Sequence, residues 1–398
     1  MIKRIIFIFL IAGFASCKKE NNEKIQLNST YDSQNSNLKL NQIQIIASHN
    51  SYRIRTTDTI LRFIYGLQNN GFLPTEFNPD GLDYTHLNFN EQLSNFNIRG
   101  LEIDVYYDNQ GNTYHKRKIN TFAGLVDSVD IPELKQPGFK VLHIKDIDYN
   151  THYYTFKQAL QALKQWSNEH PRHLPIFVNI ETKEESPADY SQLNGLGFTP
   201  AQHYNETACD ELDNEIKTVF GNDLNNIMTP DNIRKSLPTL RSVITEGKMP
   251  TLGECRGKIF FILEGNALPY YTLGHPSLAG RVMFTYANYN TDEAFFLIHN
   301  NAESDKTIIQ SRVNEGFIVR TRADADTEQA RTGNYNTMNA ALSSGAQIVS
   351  TDYYQADPRY INDPAHWTNY TVQLPDNALG RKNPINALQV NIPNDLVE

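Results

Sequence analysis

Cysteine is scarce in this 398-residue chain, with three residues at Cys17, Cys209 and Cys255. Positive charge is also short. Lys and Arg number 36 against 45 Asp and Glu, a net charge of −9. That deficit argues against nucleic acid as a partner, because phosphate backbones attract basic faces. It leaves room for a metal held by carboxylates. No apolar run beyond the first seventeen residues reaches membrane-spanning length, and no internal repeat is evident. What the chain does have is 39% apolar residues, enough for a sizeable core. Its length admits two or three domains, or one α/β barrel of about 250 residues with additions.

The first residues read as a processing signal. Lys3 and Arg4 precede the apolar run Ile5–Phe14, and Ala15 and Ser16 lead into Cys17. About ten apolar residues are too few for a mature spanning helix. Small residues before a cysteine resemble a bacterial lipoprotein cleavage site, with Cys17 the lipidated first residue. The expectation is therefore an exported lipoprotein of the cell envelope. The segment Lys18-Lys19-Glu20 raises surface display as a further expectation. Removal of 1–16 leaves Cys209 and Cys255, and the sequence does not decide whether they pair. Residues 17–38 are polar and read as a flexible tether.

Eight short apolar runs follow: 43–47, 100–106, 140–143, 175–180, 258–263, 281–286, 317–321 and 347–350. Helical patterns separate several of them. Phe156, Leu160, Leu163 and Trp166 fall on one helix face, as do Leu212, Ile216, Val219 and Phe220. Residues 327–344 are helical in composition, interrupted by Gly333 and stopped by Gly345. Alternating strands and helices predict an α/β fold, a TIM-like (β/α)8 barrel over 39–360. An open doubly wound sheet is the alternative. Residues 361–398, rich in Asn and Pro, are expected to form an extended C-terminal tail on the barrel.

Chemistry-bearing residues gather at the ends of the first four runs. The first leads into Ser48-His49-Asn50-Ser51. The second contains Glu102 and Asp104, which two-residue alternation places on one side of the sheet. The third ends at His143, followed by Asp146 and Asp148. The fourth leads into Glu181 and Lys183. Asn50, Glu102, Asp104 and Glu181 are hard oxygen donors that suit Ca²⁺, and less well Mg²⁺, rather than a soft metal. With two imidazoles beside them, they suggest phosphodiester cleavage. Taken singly, each residue also fits a structural hydrogen bond or salt bridge.

These residues, with their surroundings, resemble the bacterial Ca²⁺-dependent phosphoinositide phospholipase C family. The resemblance runs through residues 47–52, Tyr84-Thr85-His86, Glu91-Gln92-Leu93, 99–106, 138–143, 146–149, 181–183, Thr229-Pro230-Asp231, 319–324 and 350–353. It implies a TIM-barrel phosphodiesterase acting on a phospholipid or glycerophosphoinositol, with His49, His143 and Glu181 catalytic and Asn50, Glu102, Asp104 and Glu181 holding Ca²⁺. In eukaryotic members the second catalytic histidine lies two residues past a strand-end histidine, where this chain has Lys145. His143 is therefore carried over, with His115 a second candidate. Lys183, Arg320, Arg322 and Tyr353 are expected near the inositol ring or its phosphates, or else in ion pairs with Asp324 and Asp352. A glycerophosphodiester phosphodiesterase and a non-catalytic headgroup-binding lipoprotein are the alternative readings.

Overall fold

The computed structural model describes residues 35–73, 77–127, 130–191 and 193–398. Cys17, the signal segment and residues 17–34 of the expected tether lie outside them. The tether's last residues, 35–38, are packed: Asn35 and Leu38 are buried, and the N–H of Leu252 donates to Leu38 O at 2.6 Å. Among the described residues, no helix is long and apolar enough to cross a membrane.

Among the described residues, eight parallel strands form a nearly closed barrel. In order around the sheet they are β1 (Ile43–Ser48), β2 (Ile98–Tyr106), β4 (Ile176–Lys183), β5 (Ile259–Gly265), β6 (Phe284–Thr285), β7 (Phe296–Ile298), β8 (Ile318–Arg322) and β9 (Ile348–Thr351). β9 returns to pair with β1. A single parallel bridge, Tyr286 to Phe296, joins β6 to β7. The remaining two strands lie off this path. β3 (Lys140–Val141) pairs antiparallel with the end of β2, and β10 (Arg381–Lys382) pairs antiparallel with the start of β1.

One expected run therefore leaves the barrel, and one strand outside the expected runs joins it. Lys140–His143 is not a barrel strand but a two-residue flap followed by a loop over the barrel mouth. Phe296–Ile298 is a barrel strand that the apolar pattern did not disclose. Between Asp292-Glu293 and His299-Asn300 stand five apolar residues, Ala294–Ile298, an unbroken short run that periodicity alone does not assign to strand or helix.

Alternation along the strands sets out the lumen in layers. On β2, β4 and β5 the pairing register gives three rows: Gly100, Phe177 and Phe260; then Glu102, Asn179 and Ile262; then Asp104, Glu181 and Glu264. The lowest row is apolar. Phe177 meets Phe260 at a ring separation of 5.3 Å and Phe296 of β7 at 6.0 Å. β4 and β7 are not neighbours, so these rings fill the interior. Gly100 has no alternative there, since a Cβ would lie 2.4 Å from that of Ala47. The next row is polar except for Ile262 and the one above it is wholly acidic, and both lie toward the carboxyl ends of the strands, where barrel sites are built.

Helices on the outside bury the stripes read from the sequence. Helix α1 spans Asp58–Asn69, α2 Phe156–Glu169 and α3 Glu206–Phe220. Thr155 caps α2, its side chain accepting from Gln158 N, and Phe156, Leu160, Leu163 and Trp166 are buried. The stretch 327–344 divides at Gly333, whose φ of +69° ends one helix at Thr332 before α4 (Asn336–Ser344) begins. Residues 361–398 are built into the domain, with Trp367 and Tyr370 buried and Glu398 paired to Arg99 at 2.6 Å. Cys209 and Cys255 are buried and unpaired, which settles the open pairing against a disulfide. A second, smaller apolar cluster sits on the mouth side. It joins Ile60, Leu61 and Ile64 of α1 to Tyr106, Leu142, Ile147, Leu193 and Phe198.

One buried acid carries a pH signature. Glu215 of α3 accepts from Phe139 N at 3.1 Å through Oε1, while its Oε2 has no partner. Burial pushes its pKa up to about 7, against Lys157 and Lys140. A folded pKa above the unfolded one gives stability that is full below about 4.5 and lost as pH rises through 7. Glu215→Gln should therefore retain up to about 3 kcal/mol that the wild type loses between pH 5 and pH 8. Urea midpoints at the two pH values measure this, and equal slopes for both proteins would refute it.

Candidate active site

The turn after β1 is built by its own side chains. Ser48 Oγ lies 2.6 Å from Ser51 Oγ, and Ser51 N donates to Glu102 O at 3.0 Å. Ser51 Oγ in return accepts from Glu102 N at 2.8 Å. This lock between β1 and β2 forces Asn50 to a φ of +47°, a left-handed conformation that asparagine tolerates better than most residues. Asn50 Nδ2 donates to Tyr84 OH at 3.1 Å, and its Oδ1 is buried with no partner.

His49 projects into the mouth. Its Nδ1 lies 2.7 Å from Asp352 Oδ1 and its Nε2 lies 3.3 Å from Glu102 Oε1. The Asp352 contact places the Nδ1 proton and turns Nε2 toward the lumen. Asp352 also holds Arg322 at 3.0 Å. Burial would raise the Asp352 pKa, but His49 and Arg322 outweigh it and keep the carboxylate ionised.

His143 reaches the same mouth from the loop after β3. Its Nδ1 lies 2.8 Å from Asp148 Oδ2, and Arg53 holds that oxygen from the other side at 2.7 Å. Arg53 is fully buried and also donates to the carbonyls of Tyr84 and Leu82, both at 2.5 Å. Burial holds the His143 pKa below the ordinary imidazole value, with Asp148 opposing. An anionic phosphodiester nearby would favour the imidazolium. Both histidines line one cavity of about 230 Å³, together with Asn50, Tyr84, Arg322 and Asp352.

Three carboxylates lie beside them. One oxygen from each of Glu102, Asp104 and Glu181 falls within 4.8 Å of the others. Neither oxygen of the buried Asp104 accepts a hydrogen bond, although Lys183 Nζ stands 3.4 Å from Oδ2. Burial, with Glu181 and Glu102 close, raises the Asp104 pKa well above the usual range despite Lys183. Glu102 behaves oppositely. Burial opposes its charge, but Arg320, His49 and Arg322 hold it at about 2. Unpartnered buried oxygens on Asn50 and Asp104, within an all-oxygen donor set, fit a hard divalent cation.

The expected substrate contacts divide. Arg322 lines the cavity, held by Asp352 as the ion-pair alternative anticipated. Arg320 crosses the lumen to pair with Glu102. Lys183 sits on Glu181 at 2.8 Å. Tyr353 is placed away from the cavity. It is buried beside Tyr84 and Tyr370, at ring separations of 6.4 and 6.1 Å, with its hydroxyl unpartnered. Alternation explains this, because Asp352 faces inward and the next residue must not. His115 is occupied with the carbonyl of Asn112 at 2.6 Å. Glu264 was missed. It completes the top row at the end of β5, accepts from Asn179 Nδ2 at 2.9 Å and lies 3.9 Å from Arg320. The strand-end rule, applied one residue beyond the run at 258–263, would have found it.

A family model described as phosphoinositide phospholipase C, Ca²⁺-dependent, matches residues 38–384. Among solved structures, the chain is similar to a calcium-dependent phosphoinositol-specific phospholipase C from Pseudomonas sp., in a myoinositol complex. Identity is 14% and the TM-score 0.48, covering 81% of this chain and 92% of that one. The Ca²⁺-dependent enzyme from Streptomyces antibioticus is 13% identical with a TM-score of 0.49, covering 80% and 95%. The phosphatidylinositol-specific phospholipase C from Listeria monocytogenes is 12% identical with a TM-score of 0.44, covering 80% and 91%. No curated protein matches the chain.

Proposed function

The chain belongs to the Ca²⁺-dependent phosphoinositide phospholipase C family and is a phosphodiesterase; from that premise we propose that it cleaves phosphatidylinositol-type lipids to diacylglycerol and an inositol phosphate. The observation that carries this reading is the pairing of two imidazoles in one cavity. Each has its Nδ1 on a buried carboxylate, His49 on Asp352 and His143 on Asp148, beside the three-carboxylate cluster.

The inositol 2-hydroxyl attacks phosphorus, its proton passing to Glu181 or to His49 Nε2. His143 donates its Nε2 proton to the glycerol oxygen as that oxygen leaves. The first product is the cyclic phosphate. Asp352 and Asp148 fix the two rings so that Nε2 of each faces the substrate. Arg322, already held by Asp352, presents its guanidinium to the phosphoryl oxygens. Asn50, Glu102, Asp104 and Glu181 would hold Ca²⁺, which when bound neutralises phosphoryl charge and lowers the pKa of the attacking hydroxyl. Lys183 pairs with two of those carboxylates, Asp104 and Glu181, and would be free to turn toward the headgroup if a cation neutralised them.

Product analysis on phosphatidylinositol tests this, with added Ca²⁺ and with chelator. The expected result is diacylglycerol and inositol cyclic phosphate with Ca²⁺ and neither with chelator. Full turnover after exhaustive chelation would remove the metal from the proposal. Release of glycerol phosphate from non-inositol glycerophosphodiesters at a comparable rate would favour the glycerophosphodiesterase alternative.

A further inference from the structure

Beside the catalytic cavity lies a second one of about 140 Å³, and its walls are of another chemistry. Ile64 and Leu67 of α1 form one side, and Ile147 and Leu193 are among the opposing residues. The two cavities share Phe77, His143 and Ile144. His143 thus stands in the partition, with its Nδ1 taken by Asp148. On one side are Asn50, Arg322 and Asp352; the other is mostly apolar, with Lys183, Glu185 and Ser186 forming the polar part of its wall.

We infer that this apolar pocket seats the leaving group, namely the glycerol carbons and the first methylenes of one acyl chain, so that the enzyme recognises the lipid and not only its headgroup. The inference rests on the reading of His143 as the acid that protonates the glycerol oxygen. A phosphodiester between an inositol and an acylglycerol has a polar half and an apolar half. The group that protonates the bond joining them must lie between the two halves. His143 is so placed, and the continuity of the cavities through it decides the occupant. Size sets a limit as well. An apolar cavity of about 150 Å³ takes a benzene-sized guest, so this one holds roughly six carbons and no complete chain. Tyr190, 43% exposed at the pocket's edge, marks a route by which the rest of the chain passes out.

Monomeric phosphatidylinositols of increasing acyl length, kept below their micelle-forming concentrations, test the inference against glycerophosphoinositol. The expected kcat/KM rises by up to about fourfold per added methylene and levels after the pocket fills. Leu67→Trp, which fills it, should lower the ratio of kcat/KM for lipid over glycerophosphoinositol at least tenfold. Leu67→Ala, which enlarges it, should move the plateau to longer chains. Near-ultraviolet circular dichroism checks that each variant is folded, and the plateau shift stands on its own if the tryptophan variant is not. Monomer rates independent of chain length, or a Leu67→Trp ratio equal to wild type, overturn the inference. A Leu67→Trp loss seen on vesicles but not on monomers also overturns it, and makes the pocket a membrane contact. If wild type cleaves neither substrate, the proposed function fails, an outcome distinct from a failure of the pocket alone.

Discussion

Asp104→Asn is expected to cut kcat/KM on phosphatidylinositol by at least about a hundredfold while leaving the calcium-free protein as stable as wild type or more so. The two effects share a cause. Asp104 is buried, neither of its oxygens accepts a hydrogen bond, and two further carboxylates crowd it. In the absence of a cation its charge is a liability, offset only in part by Lys183. An amide removes that cost and, with it, a ligand for the cation. Loss of metal stabilisation worth about 3 kcal/mol in the transition state corresponds to roughly a hundredfold in rate. Glu102→Gln makes the contrast. It also removes a ligand, but it leaves the buried guanidinium of Arg320 without its carboxylate. That variant should lose about 3 kcal/mol of stability. Thermal melts with chelator and with Ca²⁺ measure both. Wild type should gain in melting temperature with Ca²⁺, and Asp104→Asn should not. A full Ca²⁺-induced gain in Asp104→Asn, or a Glu102→Gln protein as stable as wild type in chelator, would contradict this account of the cluster.

The opposite signs expected for two neighbouring acids were not legible in the sequence. Alternation along β2 was enough to put Glu102 and Asp104 on one side, and the strand-end rule put Asn50 and Glu181 near them. What separates the two acids is Arg320, 218 residues further on, whose reach across the lumen depends on barrel closure. The same gap between local pattern and pairing explains the strands. Lys140–His143 is apolar enough to be a strand and is one for two residues. Its partner is the far end of β2 in antiparallel register, which no periodicity encodes. Phe296–Ile298 closes the barrel with three residues and one bridge to β6. The expected number of barrel strands thus came from one run that is not a barrel strand and one barrel strand that was not seen. His143 still arrives at the mouth, carried by a loop rather than a strand end. What fixes it there is Asp148, pinned by Arg53, a residue whose buried role has no signature in composition or spacing.

That anchoring makes the division of labour between the histidines testable. His143→Ala should cost about 10²–10⁴-fold on natural lipid, the usual worth of a positioned general acid. A glycerol alkoxide is a poor leaving group and needs its proton in the transition state. An aryl leaving group of low pKa does not. On an aryl phosphoinositol, His143→Ala should therefore recover most of its deficit. His49→Ala should not, because His49 faces Glu102 and Arg322, on the side where attack and phosphoryl charge are handled. The comparison is the ratio of kcat/KM on the two substrates for each variant, read as differences in transition-state stabilisation. Since His143 also forms part of the wall between two cavities, its removal changes shape as well as chemistry. His143→Gln keeps most of the bulk and supplies no titratable proton. It should follow His143→Ala on the lipid, whereas a purely steric role would leave it close to wild type. Asp148→Asn tests the anchor. Its amide oxygen can still accept from His143 Nδ1, but the carboxylate that stabilises the imidazolium and pairs with buried Arg53 is gone, so stability should fall, the lipid rate of the folded protein should fall and its aryl rate should hold. Equal losses for His49→Ala and His143→Ala on both substrates would show that neither imidazole is specific to the leaving group. Wild-type turnover of lipid by His143→Ala would take His143 out of the reaction altogether.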